Sequence, residues 1–162
     1  MSSRKQVSQS CLDAAFRYLS YRPRSEFELK MRLRQRGFDD SSIEGVLREL
    51  RGRGLVDDFA FAQFWKENRE SFSPRSRALL HRELRQKGIT PHIIAEVVKG
   101  IDEETSAYKA AQNRAKKFAF SDYDSFRRRL TALLRRRGFN YEVSQHILNR
   151  LWQEREASGK NA

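Results

Sequence analysis

The sequence predicts an all-α protein of three tandem three-helix repeats, each containing a helix-turn-helix-like hairpin, and three observations predict it. A phrase is written three times: Leu29, Leu33, Gly37, Phe38; then Leu80, Leu84, Gly88, Ile89; then Leu130, Leu134, Gly138, Phe139. The glycines stand 51 and 50 residues apart, and self-similarity at a fixed period marks a repeat architecture. After each glycine, apolar residues return at plus nine, ten and thirteen: Val46, Leu47, Leu50; Val97, Val98, Ile101; Ile147, Leu148, Leu151. That is helical spacing, and no alternating valine, isoleucine and threonine runs or Asn-Gly turns nominate strands.

Each element has a local reason. Leucines eight and four residues before each glycine share one helix face, and the glycine supplies the positive φ on which a helix ends. The apolar residue after it closes a hydrophobic clasp, pairing Leu33 with Phe38, Leu84 with Ile89 and Leu134 with Phe139. Asp39, Thr90 and Asn140 can then cap the next helix, and Pro91 suits its first position. Upstream of the hairpins lie amphipathic runs over 11–21, 59–72 and 107–120, so each repeat has about three helices and the chain about nine. Ser25 and Glu28 form an S-x-x-E capping box after Pro23, and Ser73 before Pro74 reads as an N-cap followed by proline at N1. Gly52 and Gly54 close the first repeat, and Asp57 or Asp58 opens the next helix. The resulting division is a tail over 1–10, repeats over 11–56, 57–103 and 104–156, and a tail over 157–162. Repeats that touch mainly their neighbours predict an elongated molecule.

With 33% charged and 38% hydrophobic residues, the core is thin and phenylalanine supplies much of it. The one cysteine, Cys11, falls on a predicted apolar helix face and cannot make an intramolecular disulfide, which points to a reducing compartment. No stretch is apolar for long enough to span a bilayer, and the N-terminus has no signal-peptide apolar region. The expectation is a cytoplasmic protein with no membrane partner.

The net charge of +12 is uneven. Residues 1–56 carry 12 Lys/Arg against 7 Asp/Glu, residues 57–106 carry 8 against 9, and residues 107–162 carry 13 against 5. Basic ends attract polyanions or the acidic face of another protein. Cations also recur within the repeat: Arg34, Arg85 and Arg135 three residues before the glycine, and Arg36, Lys87 and Arg137 one before it. A cation in the last turn is favoured by the helix dipole, by about 0.3–1 kcal/mol, which accounts for part of the pattern. It leaves over the third repeat, where Arg127, Arg128 and Arg129 precede Arg135, Arg136 and Arg137; six arginines in eleven residues exceed what capping needs. They read as a ridge facing phosphates or carboxylates.

Apparatus for catalysis is not visible in the sequence. There is no G-x-x-x-x-G-K-[ST] loop or G-x-G-x-x-G turn, and His81, His92 and His146 lack the partners of a metal site. Asp57 with Asp58 and Glu103 with Glu104 stand at helix starts, where capping and dipole roles fit better than acid–base work. Phe59, Phe61, Phe64 and Trp65 fall at helical spacing and read as core. A tight glycine turn also invites a DNA-reading helix-turn-helix, but such a reader rarely needs its turn copied three times. No enzyme, cofactor or metal is expected.

The chain resembles the RecX family, bacterial regulators of the RecA recombinase, over residues 11–153. The resemblance rests on the order and spacing of several pieces: Tyr18-Leu19 with Arg22-Pro23-Arg24-Ser25 and Glu28-Leu29; Gly54-Leu55-Val56-Asp57-Asp58 with Phe61-Ala62 and Trp65; Glu83-Leu84-Arg85-Gln86-Lys87-Gly88-Ile89; and Leu133-Leu134 with Arg137-Gly138-Phe139 and Tyr141-Glu142. It implies a curved, elongated protein that binds RecA, lies in the groove of the RecA filament on single-stranded DNA and limits filament growth, ATP hydrolysis and strand exchange. It implies DNA as a further partner, roles in recombination, repair and the SOS response, and no catalytic residue; a monomer is expected. The family's recurring positions fall on core and turns, so contacts are sought among exposed cations: Arg32, Arg34 and Arg36; Arg85 and Lys87; and Arg127, Arg128, Arg135 and Arg136. A sequence-independent DNA-binding protein without a RecA role is the alternative.

Overall fold

The computed structural model of the chain describes residues 2–118 and 122–161. They form nine α-helices and no strand among the described residues: α1 Ser2–Tyr21, α2 Glu26–Gln35, α3 Asp40–Gly52, α4 Asp58–Phe72, α5 Arg77–Gln86, α6 Pro91–Val98, α7 Glu103–Lys117, α8 Tyr123–Arg136 and α9 Tyr141–Lys160. The all-α reading holds, three helices to a repeat.

All three glycine phrases end a helix as the spacing predicts. Gly37, Gly88 and Gly138 have φ of 90°, 75° and 86°. In each, the amide after the glycine donates to the carbonyl of the leucine four before it: Phe38 to Leu33 at 3.3 Å, Ile89 to Leu84 at 3.1 Å, Phe139 to Leu134 at 3.0 Å. This is the Schellman pattern, and it satisfies carbonyls that a helix end leaves unpaired. A fourth copy closes α3, where Gly54 has φ of 69° and Leu55 donates to Leu50 at 2.9 Å. Asp39 and Asn140 cap α3 and α9 with their side chains, and Ser25 and Glu28 make the capping box. Asp57 caps α4, accepting from the amide of Ala60 at 3.0 Å.

Two boundaries differ from expectation. Ser73 is not an N-cap: its amide donates to Arg69 at the end of α4, and α5 is capped instead by Ser76, whose hydroxyl accepts from the amide of Leu79 at 3.0 Å. Pro74 therefore precedes the cap rather than following it. Helix α1 begins at Ser2, well before the apolar run from Cys11 that predicts it, because residues 3–10 are exposed and mostly polar and carry no periodicity to read. Phe120, the end of the run over 107–120, lies outside the described residues.

The chain forms two compact units. One comprises the residues up to Trp65 together with Glu83–Val97; the other comprises Lys66–Arg82 together with the residues from Val98 on, so the middle repeat contributes to both. In the first unit, Cys11, Ala14 and Ala15 of α1 pack with Leu29 and Leu33 of α2 and with Ile43, Val46, Leu47 and Leu50 of α3. In the second, Ala107 and Ala111 of α7 pack with Phe126, Leu130 and Leu134 of α8 and with Ile147, Leu148 and Leu151 of α9. Both are the same three-helix core, with alanines on the first helix allowing close approach. Of the predicted aromatic core around α4, Phe61 is buried, Phe64 and Trp65 are half-buried, and Phe59 is exposed. No helix among the described residues is long and apolar enough to cross a membrane.

Candidate nucleic-acid interface

Helix α8 decides which arginines of the third repeat are available. Asp122 caps it, accepting from the amide of Ser125 at 2.8 Å, and Phe126, Leu130, Leu133 and Leu134 turn into the core. A 3.6-residue period then forces Arg127, Arg128 and Arg135 onto the outer face. Six arginines do not form one ridge, however. Arg129 lies over the Phe118 ring at 4.9 Å. Arg137 is half-buried: its guanidinium donates to the Ser73 hydroxyl, and its carbonyl accepts from the Ser76 amide at 2.9 Å. Burial, and then the charges of Arg136, Arg69 and Arg114, hold its pKa below the ordinary guanidinium value. Arg127, Arg128, Arg135 and Arg136 remain exposed and make no ion pair or side-chain hydrogen bond among the described residues.

These four line one open groove of about 800 Å³, together with Thr131 and Ala132 of α8, Asp124 at its edge, and Tyr141 and Gln145 of α9. Neither Tyr141 nor Gln145 is among the cations that charge and period single out. A signal was nonetheless present. Three residues past the glycine, the first two repeats have Asp40 and Pro91, and the third has Tyr141; two before it, Gln35 and Gln86 give way to Arg136. The third copy departs from the others at the positions that shape the groove.

The other predicted contacts are divided. Arg34 forks onto Asp40, Nε to Oδ1 at 2.7 Å and Nη2 to Oδ2 at 3.0 Å; that pairing raises the arginine's pKa and lowers the aspartate's. Arg32, Arg36 and Arg85 are exposed and carry no such pair. Lys87 corrects the expectation of an exposed cation: it turns inward, with Nζ 2.7 Å from Glu28 Oε1 and 4.9 Å from the centre of the Trp65 ring. Arg22 also grips Glu28, at 2.8 and 3.0 Å, so a carboxylate only 12% exposed holds two cations. Burial opposes its ionisation, but hydrogen bonds from Arg22 and Lys87, with their charges, prevail and bring the Glu28 pKa down to about 2. The Trp65 indole donates to Glu83 at 2.9 Å. Of the histidines, His146 sits against Glu104 at 2.9 Å.

Residues 11–50 match the model of the first three-helix domain of RecX, and residues 57–98 match that of the second. Regulatory protein RecX of Mycobacterium avium (strain 104) is 33% identical over 160 residues, an alignment covering 96% of this chain and 90% of that one. The chain belongs to the RecX family. Regulatory protein RecX of Chlorobaculum tepidum is 32% identical, with 91% of this chain and 92% of that one covered. The crystal structure of RecX from Lactobacillus salivarius is similar with a TM-score of 0.72 over 91% of this chain and 97% of that one; at 20% identity this is a likeness of fold. The relatives are named as regulatory proteins, and this chain is a RecX-family regulator.

Proposed function

We propose that this RecX-family chain regulates the RecA recombinase by binding the RecA filament on single-stranded DNA, limiting its extension, ATP hydrolysis and strand exchange. Family membership supports RecA as the partner. The observation that supports a filament-binding role for this chain is the set of exposed arginines, Arg127, Arg128, Arg135 and Arg136, which make no ion pair within 4 Å among the described residues. Exposed guanidinium groups fit both phosphate and carboxylate oxygens, so they suit a nucleoprotein partner that offers both. Arg32, Arg36 and Arg85 extend the candidate contacts; Arg34 would have to exchange Asp40 for the partner, and Lys87 is committed to Glu28.

The test is a titration into RecA turning over ATP on single-stranded DNA. Hydrolysis should slow at substoichiometric ratios, and Arg128→Glu with Arg135→Glu should relieve the inhibition while the far-ultraviolet circular dichroism stays the same. Unchanged hydrolysis across the whole titration would refute inhibition. The same arginine set favours a second reading, a sequence-independent DNA binder with no RecA role. Strong DNA binding without RecA in a pull-down selects it.

A further inference from the structure

Among the described residues, two aromatic side chains stand out beside charged grooves: Phe72 is 81% exposed and Tyr141 is 73% exposed. The two grooves differ in charge. Phe72 shares its surroundings with Glu67 and Glu70 as well as Lys109 and Arg137, so the signs balance. Tyr141 shares its groove with four arginines and a single carboxylate, Asp124. The ring has no stacking neighbour and its hydroxyl has no hydrogen bond among the described residues, although it stands directly after Asn140, the side chain that caps α9. An anchored backbone thus presents an uncommitted aromatic face.

The spacing of the cations suits a strand. Arg127 and Arg135 are eight residues apart on one helix, about 12 Å along its axis at 1.5 Å per residue. Between Arg128 and Arg135 the helix lines the groove with Thr131 and Ala132, short side chains that leave a trough. Gln145, one turn beyond Tyr141 on α9, brings an amide with both donors and an acceptor to the same trough. A positive groove that tracks a backbone, joined to an aromatic face open to a base, is the combination that binds single strands without regard to sequence. A duplex keeps its bases stacked on each other and leaves such a ring nothing to accept.

We propose that Tyr141 is a base-stacking platform for single-stranded DNA, set beside the phosphate-gripping arginines of α8. This rests on the reading of the chain as a regulator that contacts DNA within the filament. The four arginines supply affinity for the backbone, and the ring distinguishes an unpaired strand from a duplex.

The test uses the full chain with fluorescein-labelled oligo(dT) and a labelled duplex, read by anisotropy across a salt series. Tyr141→Ala should weaken oligo(dT) binding by about five- to a hundredfold, the measured range for loss of one stacked base. Its log–log salt slope should match that of the parent, since no phosphate contact is lost, and Tyr141→Phe should bind like the parent. Arg128→Glu with Arg135→Glu should instead flatten the slope by about 0.7 for each phosphate released. Duplex binding should be indifferent to Tyr141. If Tyr141→Ala melts early, Tyr141→Leu takes its place, keeping apolar bulk without a ring. Full oligo(dT) binding by the tyrosine variants, alongside its loss in the arginine variant, overturns the stacking role and leaves DNA contact standing. A parent chain that slows RecA yet ignores oligo(dT) overturns it too, without touching the regulatory reading. Tyrosine variants that bind oligo(dT) normally but no longer slow RecA assign the groove to an acidic protein face, and again overturn it.

Discussion

The second and third glycine phrases do the same backbone work in opposite electrostatic settings. Within the first unit, the helix end at Lys87 and Gly88 rests on the start of α2: Ser25 donates its hydroxyl to the Lys87 carbonyl at 2.6 Å. Within the second, the end at Arg137 and Gly138 rests on the start of α5, where the Ser76 amide donates to the Arg137 carbonyl. Position by position, Ser25 corresponds to Ser76 and Glu28 to Leu79. The first junction therefore has a carboxylate to receive its cations, and the second has a leucine. Arg137 turns to the Ser73 hydroxyl and lies near other arginines. The two joints use corresponding serines but different atoms, a side-chain hydroxyl at Ser25 and a backbone amide at Ser76, and their surrounding side chains stand in different charge settings.

Close approach is the part both joints share, and breaking it has the largest expected effect. A Cβ on Gly88 would lie 2.3 Å from Phe27 Cβ, and one on Gly138 would lie 2.5 Å from Ser76 Oγ and 2.7 Å from Leu79 Cβ. Around Gly37, the first copy, nothing stands within 4 Å. Gly37→Ala should cost about 1–3 kcal/mol from the left-handed backbone alone. Gly88→Ala and Gly138→Ala add about 1–3 kcal/mol of overpacking to that, an excess measurable by urea denaturation. Equal losses at all three positions would show that the joints are loose.

Next in size is the charge at the first joint. Glu28 has its pKa lowered from 4.5 to about 2, so its ion pairs stabilise the fold fully above the unfolded value and lose that contribution as pH falls through the folded one. Stability should therefore decline between about pH 4.5 and pH 2, by at most about 3 kcal/mol from this group. Glu28→Gln should flatten that part of the profile, as seen in thermal melts at stepped pH. An unchanged profile would mean that Lys87 and Arg22 do not hold the joint electrostatically.

Smaller still is the cap at the second joint. Ser76→Ala should cost about 0.5–2 kcal/mol in the same denaturation series, as N-cap losses do. Smallest is the exposed pair within the first repeat: Arg34→Ala should leave the melting temperature where it is, because water screens Arg34 and Asp40 already. A clear drop there would put surface pairing on a par with the joints.

The Leu-Leu-Gly phrase made the helix ends legible because every part of a Schellman ending is local in sequence. The cap of α5 was misread for a related reason. Ser73-Pro74 has the form of a cap followed by N1 proline, yet Pro74-Arg75-Ser76 repeats Pro23-Arg24-Ser25 at the same 51-residue period, and that echo marks Ser76. Among the candidate contacts, charge and period point to Arg127, Arg128, Arg135 and Arg136 of α8, all exposed, while Arg137 belongs to the same arginine run but is half-buried against Ser73. It passed over Tyr141, whose significance is its departure from Asp40 and Pro91.

The sequence by itself determined the helices, their endings and the three-fold repetition, since hydrophobic period, caps and left-handed glycines act over a few residues. Only the tertiary structure decided which cations are available. Lys87 and Arg34 carry their charge in the same kind of position as Arg135, but a carboxylate brought from another helix, or left nearby by a turn, engages two of them and not the third. Charge reaches across space rather than along the chain, so its partners are known only once the helices have been brought together.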